Sequence, residues 1–127
     1  MKYRTKGQVE AQISELIIKF EKEYMGRGPT EVKTYILKDM IFIRLKNVLT
    51  PAEEQLAKSP EGAELIKKTR MQLLEGWRTL LEKMITEITG YQVKSIHTDI
   101  STKTGERVII FTLDNNLEDS FRKKLTE

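Results

Sequence analysis

Between Pro60 and Thr89 the sequence holds one uninterrupted helical pattern, and it constrains the fold more than any other stretch. Its apolar residues Leu65, Ile66, Leu73, Trp77, Leu80, Leu81, Met84, Ile85 and Ile88 recur mostly at three- and four-residue intervals, giving a broad apolar stripe on a helix. Ser59-Pro60-Glu61 supplies a cap followed by a proline at the first helical position, and Gly90 supplies the stop. Such a stripe has to be covered, so the rest of the chain is expected to pack on it. A helix of this length spans roughly 45 Å, whereas a compact chain of this size has a diameter of roughly 36 Å. The helix therefore either bends, at Gly76, or projects from the body and packs on a second copy. The size argument favours a homodimer.

The 127 residues fit a single domain that can bury a core without disulfides. With no cysteine, a disulfide framework, a thiol nucleophile and a cysteine metal site are all excluded. The longest apolar runs, Met40 to Ile43 and Val108 to Phe111, are far too short to span a bilayer. The basic start from Met1 to Lys6 lacks the apolar stretch of a signal peptide, so a cytoplasmic protein is expected. Lys and Arg total 22 against 19 Asp and Glu, and the two signs alternate along helices, as in Glu15, Lys19, Glu21, Lys22 and Glu23. That is the pattern of solvated helix faces; the basic stripe of a nucleic-acid binder is missing, so nucleic acid is not an expected partner.

In chain order, Thr5-Lys6-Gly7-Gln8 has the form of a capping box and predicts a first helix from Lys6 to Met25, ended by Gly26. Glu31 to Leu37 and Met40 to Lys46 predict two strands joined by a tight turn at Lys38-Asp39. In the second strand Ile41, Ile43 and Leu45 share the face expected to meet the core. Thr50-Pro51-Ala52-Glu53 is the strongest local signal, a second capping box, and predicts a short helix to about Lys58. After the long helix, Tyr91 to Ile100 and Arg107 to Leu113 predict two more strands. Val93 and Ile96 fall on opposite faces of the third strand unless a bulge shifts its register. Leu117, Phe121 and Leu125 mark a short terminal helix or a fraying end.

The order helix, strand, strand occurs twice, with the capped helix between. Sliding the sequence by 64 places Val9 on Leu73, Ile13 on Trp77, Ile17 on Leu81, Phe20 on Met84, Tyr24 on Ile88 and Gly26 on Gly90. Residues 6–47 and 60–115 are therefore candidate pseudo-repeats within one domain, although any two amphipathic helices can be slid into register. The predicted architecture is α+β, a four-stranded antiparallel sheet with helices on one face.

Few residues stand out as chemistry. His97 is the sole histidine, and Asp99, two residues on, projects from the same strand face. That pair reads as a carboxylate-oriented base or half of a metal site, or as a solvated polar face. Gly26-Arg27-Gly28-Pro29 offers a guanidinium and open backbone amides to an anion, or is simply a tight connection with a surface arginine. Ser101 to Gly105, with Lys103 and Thr104, lacks the order of a phosphate-binding loop and suits a long hairpin turn. No catalytic residue, metal ligand set or cofactor motif is assigned. The candidate ligand-binding residues are Arg27, His97, Asp99, Lys103 and Thr104.

Four stretches carry a family resemblance: GRGP at Gly26 to Pro29, VLTPAE at Val48 to Glu53, SPEGAELIK at Ser59 to Lys67, and SIHTDISTKTGERVIIFTL at Ser95 to Leu113. Through them the chain resembles the MpsC-like, or YbcI-like, family of small bacterial proteins. The resemblance implies an accessory component of a sodium-translocating, membrane-potential-generating system, and brings no catalytic residues with it. Two functions follow as expectations. One is a non-enzymatic accessory or regulatory protein docking on a partner such as a membrane transporter. The alternative is an anionic small-molecule binder or enzyme using Arg27 and His97.

Overall fold

The computed structural model describes residues 4–126, with side chains described for 4–122. The expectation for the basic start of the chain falls partly on residues 1–3, outside the described residues, as does the side chain of Leu125.

Helix α1 (Lys6–Tyr24) begins at the expected capping box, in which Gln8 N donates to Thr5 Oγ1 at 3.1 Å and Thr5 N donates to Gln8 Oε1 at 2.8 Å. It ends at Tyr24, one residue before the expected end, with Met25 as its C-cap, after which Gly26 turns the chain with φ of 89°. Strands β1 (Glu31–Leu37) and β2 (Met40–Lys46) form the predicted hairpin, with Lys38 in the left-handed region at the turn. Helix α2 (Pro51–Leu56) is shorter than expected at its C-terminal end. Its end packs closely on the next helix: a Cβ on Gly62 would lie 1.9 Å from the Leu56 carbonyl oxygen. Only glycine lets α2 meet the first turn of α3 this closely.

Helix α3 (Pro60–Thr89) is continuous through Gly76 and stops at Gly90, whose φ is 81°. Strand β3 (Val93–Ile100) pairs with β4 (Arg107–Leu113), and its register shifts between Val93 and Ser95, the irregularity that lets Val93 and Ile96 share a face. Helix α4 (Leu117–Thr126) closes the fold and buries Leu117 and Phe121.

The four strands run antiparallel in the order β1-β2-β4-β3, so this is the expected α+β architecture. One sheet face, carrying Ile36, Ile41, Ile43, Leu45, Ile109, Phe111 and Leu113, is buried under the helices against Val9, Ile13, Ile17, Phe20, Leu81 and Ile85. The other face is open: pairing aligns Tyr35, Phe42, Ile110 and His97 in one row across it, and Tyr35 remains 54% exposed.

The long helix departs from its predicted stripe in one respect. Its buried positions are Gly62, Ile66, Arg70, Leu74, Leu81, Ile85 and Ile88, whereas Leu65 and Leu73 are 53% and 42% exposed. The first half of α3 leans on α2 and on the edge strand β3, which cover a narrower arc than the apolar pattern offers. Trp77 packs toward the body, its ring 4.3 Å from Tyr24 and 6.4 Å from Phe20 at the end of α1.

Candidate functional site

The same periodicities that bury the core also carry three charged residues into it, and a fourth reaches them from its edge. Glu21 follows Ile13 and Ile17 at four-residue spacing on α1, and Arg70 stands midway between Ile66 and Leu74 on α3. Arg107 starts the inward alternation that continues as Ile109, Phe111 and Leu113 on β4. Glu53 reaches the group from the first turn of α2.

Within this cluster Arg70 is well held. Its Nε and Nη2 donate to the two oxygens of Glu53 at 2.9 and 2.6 Å, a bidentate pair, and Nη2 also donates to the Val48 carbonyl at 2.8 Å. Glu53 additionally accepts from Thr50 N at 2.9 Å, so the capping box of α2 and the ion pair share one carboxylate. Burial pushes the Glu53 carboxyl up, but the Arg70 and Thr50 hydrogen bonds together outweigh it and hold it below the ordinary carboxylate range.

Glu21 is held differently. It is fully buried, and its oxygens lie 3.9 Å from Arg70 Nη1 and 3.7 Å from Arg107 Nη1, beyond hydrogen-bonding distance. All four of those atoms lack a hydrogen-bond partner. Arg107 makes one side-chain hydrogen bond, from Nε to Thr98 Oγ1 at 3.2 Å. Burial raises the Glu21 pKa against the opposing pull of Arg107 and Arg70, and burial likewise lowers that of Arg107. The cluster thus ties α1, α2, α3 and β4 together through one tight pair, Arg70 with Glu53, and two loose ones, Glu21 with Arg70 and with Arg107.

Beside the cluster, between α3 and β3, lies an open cleft of about 480 Å³ whose lining includes Lys67, Lys68, Arg70, Thr98, Asp99 and Arg107. Arg107 is 2% exposed and contributes to the wall. Chemically this lining offers the cations of Lys67 and Lys68 to an anion beside the carboxylates of Glu64 and Asp99, while Arg107 Nη1 is buried and faces Glu21 at 3.7 Å.

Of the residues singled out in the sequence, Asp99 stands at this cleft with Oδ1 3.5 Å from Lys67 Nζ, largely in solvent. Lys103 lines a neighbouring cleft with Lys67 and Asp99, and with Thr104 it also lines another beside Glu54 and Lys58. Arg27 donates through Nη1 to the Leu49 carbonyl at 2.5 Å and to Glu54 at 3.3 Å, pinning the loop after α1 to α2. His97 stands apart, in a cleft with Met71, Leu74 and Arg78, its Nε2 3.1 Å from Ser95 Oγ. Asp99 and Lys103 are therefore brought together, Arg27 reaches the Lys103 and Thr104 cleft only through Glu54, and His97 is separate. Among the described residues no group of three or more His, Cys, Asp or Glu could hold a metal ion.

Sequence reasoning placed Glu21 on a solvated helix face, which its complete burial corrects, missed Arg70 and Arg107, and read Glu53 only as a cap. The signal was present: each of the first three occupies an apolar phase of its own helix or strand.

An α+β fold with an open antiparallel sheet and an internal ionic tie is here joined to a family match: a protein-family model described as "Na+-translocating membrane potential-generating system (MpsC)" matches residues 5–115. The chain belongs to the MpsC family. It is 49% identical over 122 residues to "Uncharacterized protein YbcI" of Bacillus subtilis (strain 168), covering 96% of this chain and 98% of that protein. It is 24% identical over 109 residues to "Uncharacterized protein YrhF" of the same organism, covering 85% of this chain and 89% of that one. No solved structure matches it.

Proposed function

We propose that the protein is a non-enzymatic, cytoplasmic accessory or regulatory component of a Na+-translocating, membrane-potential-generating system, acting as a homodimer docked on a membrane-embedded partner. The family match across residues 5–115 carries this reading. No helix among the described residues is long and apolar enough to cross a membrane, so membrane contact in this reading runs through the partner. The open sheet face, with the Tyr35, Phe42 and Ile110 row and exposed Leu37, offers that partner an apolar surface. The strand order, with β2 and β4 central and β1 and β3 at the edges, supports reading 6–47 and 60–115 as repeats.

The test is the membrane potential of a deletion strain, followed with a potential-sensitive dye in Na+ and in K+ medium. A Na+-dependent fall, restored by the wild-type gene and not by a Tyr35→Glu, Phe42→Glu variant, is expected. An unchanged potential in both media overturns the reading.

A second reading, an anionic small-molecule binder, is favoured by the excess of cations in one cleft, where Lys67, Lys68, Arg70 and Arg107 stand against Glu64 and Asp99. It places the ligand near Asp99 and Lys103, with Lys67 and Arg107, instead of at Arg27 and His97. A saturable rise in melting temperature with inorganic phosphate or citrate, lost in Lys67→Ala, is its expected result. No shift with either probe overturns it.

A further inference from the structure

The first half of α3 presents a surface that the monomer does not use. Leu65, Thr69 and Leu73 form one row of residues four apart, and Gln72, Gly76 and Leu80 form the adjacent parallel row. Neither row contains a charge. Five of the six residues are exposed and Leu80 is half-buried.

Gly76 is the informative member. It lies in the middle of a continuous helix, where glycine is disfavoured, and a Cβ there would meet nothing within 4 Å. Its backbone has no positive φ to excuse it. Gly62, in the same helix, is explained by the approach of Leu56; within the monomer Gly76 has no such neighbour. Close approach of another helix gives the missing reason.

We propose that two copies of this chain associate through antiparallel pairing of their α3 helices, with the two-fold axis passing between Gln72 and Leu73. The inference rests on the homodimer of the proposed function and names its surface. An axis at that point places each residue opposite the one whose number makes a sum of 145 with its own. Leu65 then meets Leu80 of the second copy, Thr69 meets Gly76, and Leu73 meets Gln72, so each row is the complement of the other.

Charges at the ends agree with the same register. Lys83 falls at the first turn of the second copy's α3, one position from Glu61. A parallel pairing in register would instead set Lys83 on Lys83 and Glu61 on Glu61, which is repulsive. The length of α3 allows it: roughly 45 Å of helix buries one face along Ile66, Leu74, Leu81 and Ile85 and leaves an adjacent face for the seam.

The chain has no cysteine, so introduced thiols report without background. Thr69→Cys and Gly76→Cys chains are purified separately, mixed under mild oxidation, and resolved on non-reducing gels. A disulfide-linked dimer containing one chain of each variant is expected, with little linkage of either variant alone, since a disulfide needs Cα atoms within about 7 Å. Linkage of Thr69→Cys with itself overturns the antiparallel register. A native chain that is dimeric by light scattering, but gives no linkage, moves the dimer to another face such as the open sheet. A native chain that is monomeric at high concentration overturns the dimer and the seam together, and leaves the Na+-linked role to be judged by its own test. In a second measurement, Lys83→Glu weakens the dimer about fivefold and Glu61→Lys in the same chain restores it; equal affinity for all three chains overturns the charge register.

Discussion

Glu21 and Arg107 face one another inside the core with Oε2 and Nη1 3.7 Å apart, both residues almost wholly buried and neither of these atoms hydrogen-bonded. Arg70 stands on the other side of Glu21 but gives its best geometry to Glu53. The loose pair sits where four elements meet, so its energetics report on how the helices are fastened to the sheet. Paired charges removed from water gain little over an apolar core, yet removing one partner strands the other.

Glu21→Ala is therefore expected to destabilise the protein by about 3–5 kcal/mol, because both arginines lose an internal counter-charge. The double variant Glu21→Met, Arg107→Met should recover most of that loss. Urea unfolding monitored by circular dichroism measures both, and a double variant as unstable as the single one would contradict this account.

The buried Glu21 and the half-buried Glu53 should imprint opposite pH slopes. Glu21 is raised by burial, so its contribution is present below the ordinary carboxylate pKa and is lost as pH climbs through its higher folded value. Glu53 is lowered, burial being outweighed by Arg70 and Thr50, so its contribution is present above the ordinary pKa and is lost as pH falls through its folded value. Urea midpoints taken from about pH 3 to about pH 8 should fall less on the alkaline side in Glu21→Gln and less on the acid side in Glu53→Gln.

Two glycines of α3 should respond to the same substitution with opposite signs. Gly62→Ala drives a Cβ into the Leu56 carbonyl and should cost about 2 kcal/mol or more. Gly76→Ala meets nothing in the monomer and should stabilise it by about 1 kcal/mol at concentrations too low for association. Thermal unfolding of dilute samples separates the two.

Thr50→Ala removes the hydroxyl that accepts from Glu53 N at 3.2 Å and should cost about 1 kcal/mol. Because the same Glu53 holds Arg70, Thr50→Ala and Arg70→Met should not add; a double-mutant cycle measures the coupling.

Local chemistry fixed much of this fold before any tertiary contact was considered. The capping boxes at Thr5 and Thr50, the prolines at Pro51 and Pro60 and the left-handed stops at Gly26 and Gly90 each act within a few residues of chain, and the helices begin and end where those signals place them to within a residue or two. Period-two patterning likewise gave the buried face of β2 and offered the bulge in β3 as the way to bring Val93 and Ile96 to one face, since a strand's alternation is independent of its partners. What the tertiary structure alone decided is which of several apolar or charged positions finds a neighbour. Leu65 and Leu73 belong to the helical stripe yet stay exposed, because α2 and an edge strand cover too narrow an arc. Glu21, Glu53, Arg70 and Arg107 lie up to 86 positions apart, and only packing brings their charges within 4 Å. Burial and Coulomb energy depend on distance in space, and neither is written in the spacing along a chain.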